Sequence, residues 1–455
     1  MFKKELSINS EIKPLGISVN AKSSFNELKK NSFPIIYDKA WDNFPYKKEL
    51  IKELIPLLTI SLPLTANATK INYNTGKSEF IGDYKNIFLK SLPGANFDYK
   101  LDLNKLIEDF NNIEFAFSNN IAVPREKMDF QTEEKAIIPL SCGKDSLLTL
   151  AMAREIGLEP LVIYVNDTVV PQENLYKSEM IKKLAESLKL DSSLIINEVE
   201  QLNDFEFWDK PETCFCYSHM LTGFCFLSLP LAYQHKAKYI LLGNQQDMDF
   251  SFSQDNIHYY PSYDQSTETE IRQNEIINKF TNNEIGVYSL IRPLTNISII
   301  KILFERFPEI AKYQFSCDCL THSKENRWCY SCNKCARLSL LMLANKINPK
   351  AAGFEKNLLV KENEKLYSLF QGKEVDIYEK SQEARDQQLL AFYMAYKNNV
   401  QGELIDKFKK QFLDEAKERE DELYKKFFRI YPCNLPPQIK NKVLSIYKES
   451  LSEFI

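Results

Sequence analysis

The chain has 455 residues, a length that suggests two or three domains. Hydrophobic residues make up 44% and charged residues 26%, the balance of an ordinary globular protein able to bury a core. A formal net charge of -4 lacks the basic surplus of a chain that grips nucleic acid non-specifically, so that partner class is not expected.

Met1-Phe2-Lys3-Lys4-Glu5 runs on into polar residues and not into an apolar signal core, so no export signal is expected. The longest apolar stretch, around Leu54 to Leu64, is broken by Thr59, Ser61 and two prolines and is too short to span a bilayer. A cytoplasmic chain is therefore expected. In a reducing compartment its ten cysteines are more often metal ligands or buried apolar residues than disulfides.

Residues 1 to 130 mix helix-like stretches such as Tyr46 to Leu58 with a strand-like passage at Lys70 to Tyr73. Asn74-Thr75-Gly76 then predicts a hairpin turn. From Lys135 the rhythm changes. Ala136 to Leu140 is a short apolar run, followed by a polar turn and a helical pattern from Leu147 to Ile156. Apolar runs at Leu161 to Val165, Leu194 to Ile196 and Tyr239 to Leu242 alternate with helical stretches at Glu173 to Leu188 and Tyr217 to Gln234. Strands alternating with helices predict an α/β fold with a parallel sheet covered on both faces, whose ligand sits at the carboxyl ends of the strands. A central domain over 131–345 and a helical region over 346–455 complete the division. In the latter, Ile405, Phe408, Phe412, Ala416, Leu423 and Phe427 approximate one face of an amphipathic helix, expected to pack on its own domain.

Ser141-Cys142-Gly143-Lys144-Asp145-Ser146 lies between an apolar strand and an apolar helix. A tight turn there points backbone N–H groups into one concavity, where the helix dipole favours an anion. Gly143 permits close approach of a phosphate, Ser141 and Ser146 add hydroxyls, Lys144 a positive charge and Asp145 a carboxylate for Mg²⁺. The spacing is not that of a Walker A loop. The hexapeptide resembles the S-G-G-x-D-S loop of the PP-loop ATP pyrophosphatases, with Cys142 in place of the first glycine.

A second motif gathers Cys317, Cys319, Cys329, Cys332 and Cys335. The C-x-x-C-x-x-C run places three thiolates on one turn, and Cys317 or Cys319 closes a tetrahedron, the ligand set of a structural zinc site. An iron–sulfur cluster is the alternative. Lys324, Arg327, Lys334 and Arg337 would offset the negative charge.

In order, these pieces resemble the 7-cyano-7-deazaguanine synthase family over Lys135 to Asn345. Ile291-Arg292-Pro293-Leu294 and a helix from Ser298 to Lys312 lead into Ser316-Cys317, as a Pro-Leu segment leads to the zinc cysteines in that family. The match makes Cys317, Cys329, Cys332 and Cys335 the expected ligands, with Cys319 the alternate to Cys317. Gly243, Asn244 and Asp247 resemble the family's loop near ATP and substrate, and Tyr260-Pro261-Ser262-Tyr263-Asp264 resembles its Y-P-D element. The family's P-x-R-N element appears here as Cys216-Tyr217-Ser218-His219. The regions before Lys135 and after Pro349 are absent from the small synthases and resemble larger relatives associated with antiphage defence operons.

The resemblance implies a PP-loop fold and a ligase that uses ATP, Mg²⁺ and Zn²⁺. AMP is transferred to the carboxylate of a 7-deazaguanine-type substrate, and ammonia or a protein amine then attacks. Lys144 and Asp145 are the expected catalytic residues; Asn244, Asp247 and Asp264 are expected at the substrate. Expected partners are the deazapurine-like acid, a protein acceptor or other product of a defence operon, and a second copy of the chain. A tRNA-modifying PP-loop enzyme and a catalytically silent nucleotide-binding scaffold are the rivals. Among His219, His235, His258 and His322 no spacing singles out a base, and for His219 an inert place in core or surface is preferred. For Cys214, Cys216 and Cys225 burial is the expected role.

Overall fold

The computed structural model describes residues 4–38, 40–119, 128–166, 171–211, 215, 218–317 and 327–454. Twelve strands are found among them: β1 (Glu5–Lys13), β2 (Gly16–Ser23), β3 (Ser32–Tyr37), β4 (Lys70–Gly76), β5 (Glu114–Asn119), β6 (Glu133–Pro139), β7 (Glu159–Asn166), β8 (Ser192–Asn197), β9 (Ala237–Leu241), β10 (Phe252–Gln254), β11 (Ile257–Tyr259) and β12 (Gly286–Tyr288). Ten form one mostly parallel sheet in the order β12-β9-β6-β7-β8-β3-β2-β1-β4-β5, while β10 and β11 pair as a separate hairpin.

The central five strands are parallel throughout, and each is apolar on both faces. In β6, Ala136 and Ile138 enter one core while Ile137 enters the other. Val162 and Tyr164 of β7 likewise share the first core, and Leu161, Ile163 and Val165 the second. This is why the sequence reads as short continuous apolar runs here and not as alternation. From β6 the chain winds outward through β7 and β8, then returns to place β9 and β12 on the other side. The reversal falls between β6 and β9. A crevice opens there at the carboxyl ends of the strands.

The N-terminal region is not a separate layer. Its strand β3 pairs antiparallel with β8, so the sheet runs unbroken from one region into the next. The predicted hairpin at Asn74-Thr75-Gly76 is not formed. β4 continues through Gly76 and pairs in parallel with both β1 and β5. The helix over Ile81–Tyr99 follows β4 where a returning strand was expected.

Each added region covers a different face. Residues of β1 to β4 and the helix Lys47–Leu58 share a core with the helices Met220–His235 and Thr267–Phe280. On the opposite face, the helices Lys144–Glu155, Pro171–Leu188, Asn296–Arg306 and Asn333–Ala344 pack with the C-terminal region. The apolar face from Ile405 to Phe427 lies on three short helices, Glu403–Gln411, Leu413–Glu418 and Glu420–Phe427, all turned into this core. The helix predicted from Ser298 to Lys312 is two, because Pro308 cannot continue a helix through Phe307. No helix of the described residues is long and apolar enough to cross a membrane.

Candidate functional site

The loop Leu140 to Gly143 links β6 to the helix Lys144–Glu155 and stands at the strand-order reversal. Cys142 has φ +58°, the left-handed conformation that glycine would adopt without cost. The thiol is fully buried in the core, and burial pushes its pKa up to about 12. Its carbonyl accepts a 2.7 Å bond from Phe315 N–H, tying the loop to the segment that leads into Cys317.

Gly143 caps the helix with no side-chain hydrogen bond, leaving the first-turn amides for an anion. Ser146 closes the turn: its Oγ accepts from Ser141 N–H at 3.2 Å and donates to Gly143 O at 3.1 Å. Lys144 Nζ holds both carboxylate oxygens of Asp145 at 2.8 and 2.7 Å. Burial lowers the pKa of Lys144 while Asp145 raises it, and the net shift is downward.

Gly243 and Asn244 follow β9 and meet this loop from the neighbouring strand. A Cβ at Gly243 would lie 3.2 Å from Asp145 Cβ and 3.3 Å from Ser146 N, so close approach explains the glycine. Asn244 is fixed at both ends. Its carbonyl accepts from Ser289 Oγ at 2.6 Å, and its amide donates to Glu270 at 3.3 Å. Glu270 in turn receives Arg292 Nη2 at 2.7 Å, and the same buried guanidinium donates to Gln245 O and Gln265 O. Arg292 of the Pro-Leu segment thus ties the loop after β9 to Glu270 and Gln265.

These residues line a cavity of about 1000 Å³, with Ser141, Gly143 to Ser146, Gly243 and Asn244 on its wall. Phe205, Phe215 and Phe224 supply apolar surface, and Glu200, His219, Lys334 and Arg337 supply charge. Asp247 and Asp264 do not line it. Asp247 lies on a neighbouring cavity of about 20 Å³, room for one water, with Asn296, Arg337 and Glu379. Burial pushes its carboxyl up to about 6 against the Asn296 N–H and Lys144. Burial raises Asp264 to about 6 as well, while Ser262 donates to it.

Cys317, Cys329, Cys332 and Cys335 bring four Sγ atoms within 4.8 Å of one another, a cluster that could hold a metal ion. Two of the six S–S separations are 3.9 Å (Cys317–Cys332) and 3.8 Å (Cys329–Cys335). Amides of Cys329, Ser331 and Cys335 each point at a sulfur at 3.4 Å. Cys332 also caps the helix Asn333–Ala344, where the dipole favours a thiolate. Cys319, Lys324 and His322 lie outside the described residues, as do Cys214 and Cys216. Arg337 pairs with Glu379, and Arg327 donates to the carbonyls of Lys312 and Gln314; neither is bonded to a described sulfur. Cys225 is buried in the core, as expected.

Sequence reading missed Glu200, which lies on a short helical turn (Glu198–Asn203) after β8 and meets His219 at 2.9 Å. No motif announces it. Arg337 was read as charge compensation, yet it stands between both cavities. Its place becomes visible only with the contact to Glu379, 42 residues away. No protein-family model matches this chain, and the search of curated proteins returned no match.

Proposed function

We propose that the chain is an ATP-dependent carbon–nitrogen ligase of PP-loop type, which adenylates a carboxylate and transfers the acyl group to an amine. The observation that carries this reading is the uncapped helix start at Gly143, with Lys144 and Asp145, on the wall of a cavity at the strand-order reversal. A carboxylate is a poor electrophile because oxide would have to leave. Attack of its oxygen on the α phosphorus of ATP expels pyrophosphate and leaves an acyl group whose departing partner is AMP. First-turn amides would meet charge as it grows on pyrophosphate, and Lys144 would join them once a bound phosphate and Mg²⁺ part its ion pair with Asp145. Asp145 would hold Mg²⁺, which supplies Lewis-acid neutralisation of phosphate charge when bound.

The acid is proposed to be a 7-deazaguanine, a planar heterocycle for which Phe205, Phe215 and Phe224 supply apolar lining. The amine is ammonia or a protein amine. Ser61 and Thr65 of the N-terminal region line the same cavity, so the part absent from small synthases borders the space an acceptor would enter. A role in antiphage defence belongs to this proposal. The metal is proposed to be zinc, because a zinc–sulfur bond of about 2.3 Å sets a tetrahedral edge of about 3.8 Å. Chromatography of the nucleotide products tests the reading. AMP and pyrophosphate are expected, and Asp145→Ala should lower their formation about 100-fold or more with the fold intact. Release of ADP and inorganic phosphate would overturn it.

A further inference from the structure

The large cavity carries a buried polar pair that the adenylation chemistry does not use. His219 immediately precedes the helix Met220–His235 and is 3% exposed. Its Nε2 lies 2.9 Å from Glu200 Oε2. Glu200 is itself pinned, Oε1 accepting from Asn197 Nδ2 and Oε2 from Asn203 Nδ2, each at 3.2 Å. A carboxylate only accepts, so this contact places the proton on Nε2 and the lone pair on Nδ1. Nδ1 is buried and has no hydrogen-bond partner among the described residues. Leaving a buried polar atom unpaired costs about 1–3 kcal/mol, and because His219 is among the residues that line the cavity, a ligand there is placed to supply the missing partner.

We infer that Glu200 and His219 form the general base of the acyl-transfer step, with Nδ1 taking the proton of the attacking amine. The inference rests on the proposed function and assigns its second half-reaction. An amine that attacks must first be neutral. As its nitrogen bonds to the acyl carbon, the bond from that carbon to the AMP oxygen breaks and AMP leaves with the electron pair. Nδ1 takes the ammonium proton that makes the amine neutral, Glu200 neutralises the imidazolium, and the N–H proton left surplus after attack, now strongly acidic, passes to solvent. An imidazole oriented by a carboxylate is the general form of such a base.

The charges bearing on the ring support this role. Burial pulls the His219 pKa down, but Glu200 and Asp264 raise it further, and the net shift is upward. Glu200 remains ionised although burial opposes it, because His219, Asn203 and Asn197 hold its carboxylate below the ordinary range. Asp204, Glu206 and Lys210 are the other charged residues of the preceding segment that line the cavity.

The test separates the two half-reactions in the full-length protein with ATP, Mg²⁺ and 7-carboxy-7-deazaguanine. ATP–pyrophosphate exchange reports adenylation, and mass spectrometry reports transfer to glycinamide, largely protonated at neutral pH, or to hydroxylamine, which is not. In His219→Gln the ratio of glycinamide transfer to exchange should fall about 100-fold, and hydroxylamine should restore it to within roughly threefold of wild type. Glu200→Gln should lower the ratio about tenfold. The wild-type ratio should rise with pH along an acid limb that His219→Gln lacks. An unchanged ratio, or equal loss with both nucleophiles, overturns the assignment. Absence of exchange in the wild type would instead remove the parent reading, and the base with it.

Discussion

Cys142 occupies a backbone position that ordinarily falls to glycine. A left-handed φ at a residue with a Cβ costs on the order of 1 kcal/mol, and here the buried thiol offsets it. Cys142→Gly trades one against the other, so urea unfolding should find stability within about 1 kcal/mol of wild type. Cys142→Val puts a β-branched side chain at that φ and should cost about 2 kcal/mol or more. Asp247 offers a pH-dependent case. Burial raises its folded pKa to about 6, so the native state holds a proton that the unfolded chain has already lost. Stability contributed by this group is present below about pH 4 and is lost as pH rises to about 6. Asp247→Asn removes that loss. The variant should gain about 3 kcal/mol over wild type at pH 7 and lose most of the gain by pH 4, measured by denaturation at each pH. A constant difference across that window would contradict the assignment.

The helix Asn333–Ala344 joins the cysteine cluster to the cavity. Cys332 caps it, Cys335 lies in its first turn, and Lys334 and Arg337 reach the cavity wall. Metal binding in such a cluster is folding free energy. The purified protein should carry about one zinc per chain and no iron by elemental analysis. Cys332→Ser should lose the metal and about 4 kcal/mol or more of stability. Well-folded, metal-free wild-type protein would end this account of the cluster. The cluster was legible in the sequence because three of its cysteines are neighbours on one turn. So were β6, β7 and β9, whose apolar runs need no partner to be seen. Register across long separations was not legible. β4 pairs with β1 and with β5, which the turn-forming Asn74-Thr75-Gly76 does not disclose. Glu200 and His219 meet through tertiary packing alone, and neither residue type is informative by itself.

At the scale of the whole molecule, the three sequence regions share two cores on the faces of one sheet. The C-terminal region is stitched to the site by Thr295 and Ser298, whose hydroxyls donate to Phe427 O at 2.6 and 2.8 Å, and by Tyr447, which donates to Leu290 O at 3.0 Å. Glu379 and Gln387 of that region reach Arg337 and Asp247. The site is therefore a property of the entire fold and not of the central domain that the motifs delimit. In the reaction proposed for it, ATP is opened at the α phosphorus by a carboxylate oxygen. The direct measurement uses 7-carboxy-7-deazaguanine labelled with ¹⁸O in the carboxylate, with ATP, Mg²⁺ and an amine, and weighs the nucleotide released. AMP carrying one ¹⁸O is the predicted result. Unlabelled AMP, or label appearing in inorganic phosphate, would contradict it.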